Sequence, residues 1–305
     1  MTEIKNVSAS IRAKLLNHAK ATGTNFDRVL VRYGVERFLY RLSQHHYRDR
    51  LILKGAMLFL TWPEGAFRPT GDLDLLGHGP PDPDAMKAVF AEICSLPDPR
   101  DGLTFDIASI AVEAMREDEK YRGVRMTMFA YLEKTRIRLQ IDVGFGDAVH
   151  PDPQRITFPC LLPGMTVPEM LAYPAETVIA EKFEAMVRFG EADGRMKDFN
   201  DIWVITPTFE FEMATLVLAL LGTFQRRETA VPTEIPVALA ADFANLPAKQ
   251  TGWASFLKTN PPAMTPPPLE ELLGDLRRFF DPLLRAATRP DAARGHWDPQ
   301  RGWGD

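Results

Sequence analysis

The chain has 305 residues, of which 45% are hydrophobic and 25% are charged, as is typical of a folded globular protein. Its length allows one large domain or two of ordinary size, and no stretch approaches the roughly 20 apolar residues of a membrane span. The two cysteines, Cys94 and Cys160, fit no metal or redox motif, and residues 1–10 lack the apolar segment of a secretion signal. A cytoplasmic location without membrane contact is predicted.

The net charge of −5 hides a basic N-terminal segment. Residues 1–60 carry 11 Lys and Arg against 4 Asp and Glu, whereas the remainder carries 25 against 37. Helices are predicted over residues 10–20 and from about residue 25 to Gln44. Four arginines of the second helix lie largely off its apolar stripe and are predicted to form a basic ridge: Arg28, Arg32, Arg37 and Arg41. Such a ridge suits nucleic acid, although an ordinary solvated helix face is an equal alternative.

Two carboxylates follow a predicted strand and turn. Residues 51–60 predict a buried strand that passes through Gly55 into a helix, where backbone N–H groups can approach a phosphate. Asp72 and Asp74 then begin a half-buried strand. Because side chains two apart on a strand share a face, their carboxylates would lie together and repel each other. A divalent cation such as Mg²⁺ removes that repulsion, and the alternative is a strand end with two solvated carboxylates.

The clearest predicted strand covers residues 136–143. Apolar residues at 137, 139, 141 and 143 alternate there with polar ones, so Asp142 projects from the polar face. Asp142 is either a third carboxylate of the Asp72 and Asp74 site or an exposed residue before a glycine turn. Other strands are predicted over residues 104–112, 124–132 and 156–162, and a helix begins at Asp82-Pro83.

From about residue 166 the chain is predicted to be helical. Lys182 falls within the apolar stripe of a helix that begins near residue 175, so its ammonium group must reach solvent or bind an anion such as a phosphate. Asp198 and Asp201 share one face of the next helix. They either favour the helix dipole or bind Lys182, a proton or a ribose, while Arg195 and Lys197 could bind phosphate. Two domains are predicted, over residues 1–165 and 166–305, with a loosely held tail from residue 289.

These segments together resemble the AbiEii/AbiGii toxin family of nucleotidyltransferases, which belongs to type IV toxin–antitoxin systems and abortive infection and includes the MenT-type toxins. The resemblance covers residues 54–202 and rests on five motifs in order: Lys54-Gly55-Ala56, Arg68-x-Thr70-x-Asp72-Leu73-Asp74, Ile141-Asp142-Val143, Glu181-Lys182-Phe183-x-Ala185 and Lys197-Asp198-Phe199-x-Asp201-Ile202. It implies an α/β fold of the polymerase-beta-like nucleotidyltransferase type. A mixed sheet with flanking helices would be followed by a C-terminal helical bundle that completes the active-site cleft.

The resemblance also implies residue roles. The catalytic residues would be Asp72, Asp74, Lys182, Asp198 and Asp201. The metal ligands would be Asp72, Asp74 and Asp142. The nucleotide-binding residues would be Lys54, Gly55, Arg68, Thr70, Lys182, Arg195 and Lys197. Ala56 stands where many members carry glycine or serine, which removes a hydroxyl contact at that position.

The expected activity is Mg²⁺-dependent transfer of a nucleoside monophosphate from an NTP to an acceptor hydroxyl, with two metal ions and with Mn²⁺ as an alternative ion. The resemblance favours RNA as the acceptor, in particular a tRNA 3′ end, which would block translation and arrest growth. It also implies an antitoxin from a neighbouring gene that acts without lasting contact. The alternatives are transfer to a protein hydroxyl, as in AMPylation, a non-catalytic NTP-binding or partner-binding member, and another Mg²⁺ enzyme such as a glycosyltransferase.

Overall fold

The computed structural model describes residues 6–62, 70–118, 121–259 and 264–304. The chain divides into two compact units. The first consists of Met1–Thr61, Thr70–Gly146 and Gln154–Ala172, and the second of Trp62–Pro69, Asp147–Pro153 and Tyr173–Asp305.

Three helices belong to the first unit: α1 (Val7–Thr22), α2 (Phe26–Ser43) and α3 (Pro83–Ser95). Each begins at a side-chain cap. The carboxylate of Asp82 accepts hydrogen bonds from the N–H groups of Asp84 and Ala85, so the predicted Asp-Pro start of α3 is confirmed. A 3₁₀ helix over Ala56–Thr61 follows the first strand, as the turn at Gly55 predicts.

The first unit contains a seven-stranded mixed sheet. Its strands are β1 (Leu51–Lys54), β2 (Leu73–Gly77), β3 (Leu103–Asp118), β4 (Tyr121–Leu132), β5 (Thr135–Phe145), β6 (Gln154–Thr157) and β7 (Glu169–Ala172). Their order is β3-β4-β5-β2-β1-β7-β6. The pairs β2–β5 and β1–β7 are parallel and the other pairs are antiparallel. The mixed sheet with flanking helices confirms the predicted α/β fold class. The strand predicted over 156–162 is wrong in its bounds, since β6 ends at Thr157 before the chain turns.

Helix α2 covers one face of this sheet. Leu139 of β5 is fully buried and contacts Gly34 of α2, while Ile141 and Val143 are buried on the same face. Because side chains alternate along a strand, Asp142 projects from the opposite face. The apolar face is therefore packed against α2, and the other face of the central strands carries the polar residues.

The second unit is mainly helical, with α4 (Ala175–Phe189), α5 (Met196–Ile205), α6 (Met213–Arg226), α7 (Pro247–Thr259) and α8 (Leu269–Ala287). Short 3₁₀ helices lie over Gly190–Ala192, Val237–Leu239, Ala241–Asn245 and Pro290–Ala292. A small antiparallel sheet orders β8 (Phe211–Glu212), β9 (His296–Asp298) and β10 (Gly302–Gly304) as β10-β9-β8. The prediction of a loose tail is wrong, because the indoles of Trp297 and Trp303 donate hydrogen bonds to the carbonyls of Thr206 and Phe279.

No helix in the described part of the chain is both long enough and apolar enough to cross a membrane.

Candidate active site

The predicted carboxylate pair lies at the start of β2. Asp74 is half-buried between the buried residues Leu73 and Leu75, so its carboxylate projects from the polar face of the sheet. Asp72 directly precedes the strand and is exposed. Its backbone N–H donates a hydrogen bond of 3.4 Å to the hydroxyl of Thr70, which brings the predicted nucleotide-binding threonine next to the pair.

The backbone of Gly55 lies against the carboxylate of Asp74. Gly55 has a φ of +70°, and a Cβ atom built on it would lie 2.0 Å from Asp74 Oδ2. No side chain fits in that space, so this position requires glycine both for its conformation and for the close approach. The Lys54-Gly55 turn and the Asp74 carboxylate, predicted separately from the sequence, are therefore packed together.

A row of four charged residues crosses the polar face of the sheet. Lys54 on β1 is the register partner of Asp74 on β2, and Asp74 is the partner of Asp142 on β5. Asp142 is in turn the partner of Arg125 on β4. Registered partners on neighbouring strands project from the same face, so the charges follow in the order positive, negative, negative, positive.

Arg125 binds the third carboxylate with both ends of its guanidinium fork. Its Nε donates to Asp142 Oδ1 at 2.8 Å and its Nη2 donates to Asp142 Oδ2 at 2.7 Å. These hydrogen bonds raise the pKa of Arg125, and the negative charges of Asp142, Asp72 and Asp74 raise it further against a lowering by burial. All three carboxylates are thus within electrostatic reach of Arg125. Arg125 is not among the residues predicted from the sequence. Its place between Val124 and Met126, on the polar face of an alternating strand, is the signal that indicates it.

The donor set at β2 fits a hard divalent cation. Asp72 and Asp74 offer carboxylate oxygens, which are the ligands that Mg²⁺ prefers, and the missing side chain at Gly55 leaves room for Asp74 Oδ2. Asp72 is exposed, so a coordinated ion could keep the water ligands that Mg²⁺ releases reluctantly. The residues present therefore fit the predicted cofactor, and they would hold it through Asp72 and Asp74.

The second unit contains a separate charged group on α4 and α5. The ammonium of Lys182 donates to Asp198 Oδ1 at 2.7 Å and to Asp201 Oδ2 at 2.8 Å. The two carboxylates are almost completely buried, with 2% and 1% of their side chains exposed, whereas 13% of Lys182 is exposed. Of the alternatives left open by the sequence, the structure shows contact of both aspartates with Lys182.

Asp198 is held in its ionised form. Burial by itself raises the pKa of Asp198, but the positive charges of Lys182 and Arg195 outweigh burial and hold that pKa below its usual value. Arg195 forms an ion pair of 2.7 Å with Asp198, while Lys197 is exposed. Arg68, predicted to bind nucleotide, lies outside the described residues.

A buried ion-pair network on α4 was also missed. Glu184 lies off the apolar stripe of α4, a position that favours solvent exposure, yet its side chain is fully buried. It accepts hydrogen bonds from Arg227 at 2.7 Å and from the Thr229 hydroxyl at 2.6 Å. The helical pattern could not reveal these partners because both lie after α6.

The predicted basic ridge on α2 is wrong for two of its four members. Arg37 is completely buried and forms an ion pair of 2.8 Å with Glu36. Arg41 is also buried and contacts Asp101 at 2.7 Å. Both arginines therefore belong to the interior of the first unit and are not part of an exposed basic surface. Within residues 6–60, all of which the structure describes, the exposed cations are Lys14, Lys20, Arg28, Arg48 and Arg50.

Comparison with known protein families connects this geometry to an activity. The family model "Nucleotidyl transferase AbiEii toxin, Type IV TA system" matches residues 37–275. The chain belongs to this family. It is therefore a nucleotidyltransferase of the toxin class of a type IV toxin–antitoxin system, and membership implies a nucleotide substrate and an antitoxin partner. The match includes Gly55, Asp72 and Asp74 in the first unit and Lys182 and Asp201 in the second.

Two solved structures from Helicobacter pylori are similar to the chain at low sequence identity. JHP933 is 15% identical, with a TM-score of 0.47, and the alignment covers 91% of this chain and 93% of that one. A proposed nucleotidyltransferase is also 15% identical, with a TM-score of 0.46 and coverage of 90% and 96%. No curated protein matches the chain.

Proposed function

We propose that this toxin transfers a nucleoside monophosphate from an NTP to the 3′ end of an RNA, most specifically a tRNA, with Mg²⁺ held by Asp72 and Asp74. The observation that supports the proposal is the packing of Asp74 against Gly55, with Asp72 and Thr70 beside it, within the family match. The added nucleotide would convert the terminal hydroxyl of the tRNA into a phosphodiester. This change would block translation and arrest growth.

In the proposed reaction, the acceptor oxygen forms a bond to the α-phosphorus while the bond between the α-phosphorus and the bridging oxygen breaks. Pyrophosphate takes the electron pair of the broken bond, and the acceptor hydroxyl releases its proton to solvent water. A bound Mg²⁺ would supply charge neutralisation for the triphosphate and for the attacking oxygen. Asp72 and Asp74 would hold the ion, and the Gly55 backbone and the Thr70 hydroxyl would position phosphate oxygens. The cation at Lys182, held by Asp198 and Asp201, is also required, as the family resemblance implies.

The exposed cations of the N-terminal segment support RNA as the acceptor. Lys20 and Arg28 lie on α1 and α2 and are exposed, unlike Arg37 and Arg41. Contacts between cations and phosphates dominate RNA affinity and weaken as salt increases. Transfer to a protein hydroxyl would need the same carboxylates but no such surface.

The acceptor can be identified with labelled nucleotide. Purified toxin is incubated with α-³²P-labelled NTPs, total RNA and total protein from the same cells, and the label in each fraction is measured. We expect label in RNA at the size of tRNA, and a decrease of at least about tenfold in the variant with Lys20→Glu and Arg28→Glu. Arg285→Glu, which reverses an exposed charge on α8, serves as the matched control and should leave labelling unchanged. Label in the protein fraction alone would exclude an RNA acceptor.

A further inference from the structure

Asp142, the third carboxylate of the predicted metal site, is already paired with a cation. Both oxygens of Asp142 accept hydrogen bonds from Arg125, at 2.8 and 2.7 Å, in the bidentate geometry that makes arginine–carboxylate pairs strong. Only 15% of the Asp142 side chain is exposed. A divalent ion bound to the same carboxylate would lie within a few ångströms of the guanidinium and would be repelled by it.

The charges of the row indicate how many ions the site accepts. Asp74 and Asp142 of the row, together with Asp72 just before β2, contribute three negative charges, and Arg125 and Lys54 contribute two positive ones. One divalent ion gives this set a balance of +1. Three carboxylates with two divalent ions, and without lysine or arginine, have the same balance. A second ion here would raise the balance to +3.

We propose that Arg125 is a positioning residue that takes the place of a second divalent ion at Asp142, so that this face of the sheet binds one divalent ion, at Asp72 and Asp74. This inference rests on the proposed function, and it replaces the sequence-based expectation of two ions with Asp142 as a ligand. Arg125 neutralises Asp142 and keeps its carboxylate in place beside Asp74, while the ion remains the only exchangeable cation of the row.

The number of bound ions tests this directly and does not depend on activity. Mn²⁺ is titrated into the protein, and the free ion is measured by its EPR signal. In a His45→Ala background, which removes the separate histidine site proposed below, we expect one ion for the parent protein, two after Arg125→Met, and one again when Asp142→Asn is added to Arg125→Met. Arg138→Met removes an exposed cation from the same strand face without touching Asp142, and it should keep one ion. A lost structural contact could not create a second site, and thermal unfolding confirms that each variant is folded.

Two results would overturn the inference: two ions in the parent protein with one remaining in Asp142→Asn, or one ion in Arg125→Met. A failure of the proposed function gives a different pattern, because Asp74→Asn would then bind Mn²⁺ as tightly as the parent protein does.

A second observation, independent of the active site, concerns the end of α2. His45 and His46 follow this helix, and their rings lie 4.3 Å apart between centroids. Glu92 on α3 places its Oε2 3.9 Å from His45 Nε2. One ligand atom from each of the three side chains lies within 4.8 Å of the others. Within the described residues, the buried Nδ1 of His45 has no hydrogen-bond partner.

The geometry points to a Zn²⁺-class ion at His45, His46 and Glu92. Two imidazoles and one carboxylate are a known ligand set for zinc, with water at the fourth position. Bonds of about 2.0–2.2 Å in a tetrahedral site separate ligand atoms by roughly 3.4 Å. The three atoms, which lie within 4.8 Å of one another, would therefore move closer together by at most about 1.4 Å. Glu92 is half exposed and can make this movement. The ion would connect the end of α2 to α3.

Zinc retention after dialysis tests this site. In an Asp74→Asn background, which removes the competing carboxylate site, we expect one Zn²⁺ per chain. His45→Ala should abolish retention and Glu92→Gln should weaken the affinity at least tenfold. His78→Ala, at another exposed histidine, should retain the ion. Absence of Zn²⁺ from the parent protein, or equal retention in His45→Ala and His78→Ala, would contradict the assignment.

Discussion

Replacement of Gly55 by alanine tests the contact on which the site depends. An added Cβ would lie 2.0 Å from Asp74 Oδ2, whereas ordinary contacts begin near 3.4 Å. The carboxylate would therefore have to move by about 1.4 Å. A displacement of about 1 Å at a reacting centre can cost roughly 100-fold in rate, so we expect kcat/KM for nucleotidyl transfer to decrease at least about 100-fold.

Gly23→Ala is the matched control for backbone strain. Gly23 has a φ of +65°, close to the +70° of Gly55, but nothing lies within 4 Å of the position that an added Cβ would take. Each alanine should cost about 1–2 kcal/mol in the free energy of unfolding because of its left-handed backbone. The additional clash at Gly55 should cost about 1–3 kcal/mol more if the site resists movement.

The assay combines pyrophosphate release, which reports transfer, with urea unfolding, which reports stability. We expect Gly23→Ala to retain nearly full transfer at a similar strain. If Gly55→Ala keeps kcat/KM within about threefold of Gly23→Ala, the contact between Gly55 and Asp74 does not position the reacting groups, and the argument is refuted.

Two further predictions concern buried ionisable groups. Lys182→Met removes the cation that Asp198 and Asp201 share, while Asp198 keeps its ion pair with Arg195. The loss should lower the free energy of unfolding by about 3–5 kcal/mol in urea titrations, whereas Lys197→Met, at an exposed lysine, should change it by less than about 0.5 kcal/mol. Because the pKa of Asp198 is lowered on folding, ionised Asp198 stabilises the folded protein above its unfolded pKa of 3.8, and this stabilisation is lost as the pH falls through the lower folded value. In Lys182→Met the loss should begin at a higher pH. An unchanged pH profile of stability in this variant would contradict the coupling between Lys182 and Asp198. Burial raises the pKa of Cys94 to about 12 and that of Cys160 to about 11. Alkylation by iodoacetamide at pH 8 should therefore be at least about 100-fold slower in the folded protein than in urea, because the thiolate is the reactive form. Rapid labelling of the folded chain would be inconsistent with these environments.

Sequence periodicity predicted the elements that carry the candidate active site, but it could not predict the contacts between strands. The alternation in β5 placed Asp142 on a polar face, and the turn at Gly55 was correctly predicted. Asp142 lies beside Asp74 because β5 pairs in parallel with β2, and this pairing joins residues that are far apart in the chain. Arg125 was missed for the same reason, since its role depends on the register between β4 and β5.

Helical periodicity also misplaced several charged residues. Arg37, Arg41 and Glu184 lie off the apolar stripes of their helices, which predicts solvent exposure. All three are buried because oppositely charged partners lie on other segments or next to them, at Glu36, Asp101 and Arg227. A charge that is neutralised by a distant partner leaves no local pattern in the sequence.

The central claim is that nucleotidyl transfer requires the carboxylate of Asp74. Pyrophosphate release by purified protein with NTP, Mg²⁺ and RNA tests this claim most directly. Asp74→Asn changes one oxygen to nitrogen and preserves shape, and Asp106→Asn makes the same change at a half-buried strand position on β3. We predict stoichiometric pyrophosphate release and nucleotide incorporation by the wild type and by Asp106→Asn, and a decrease of at least about 100-fold in Asp74→Asn. Equal rates in the two variants would contradict the account.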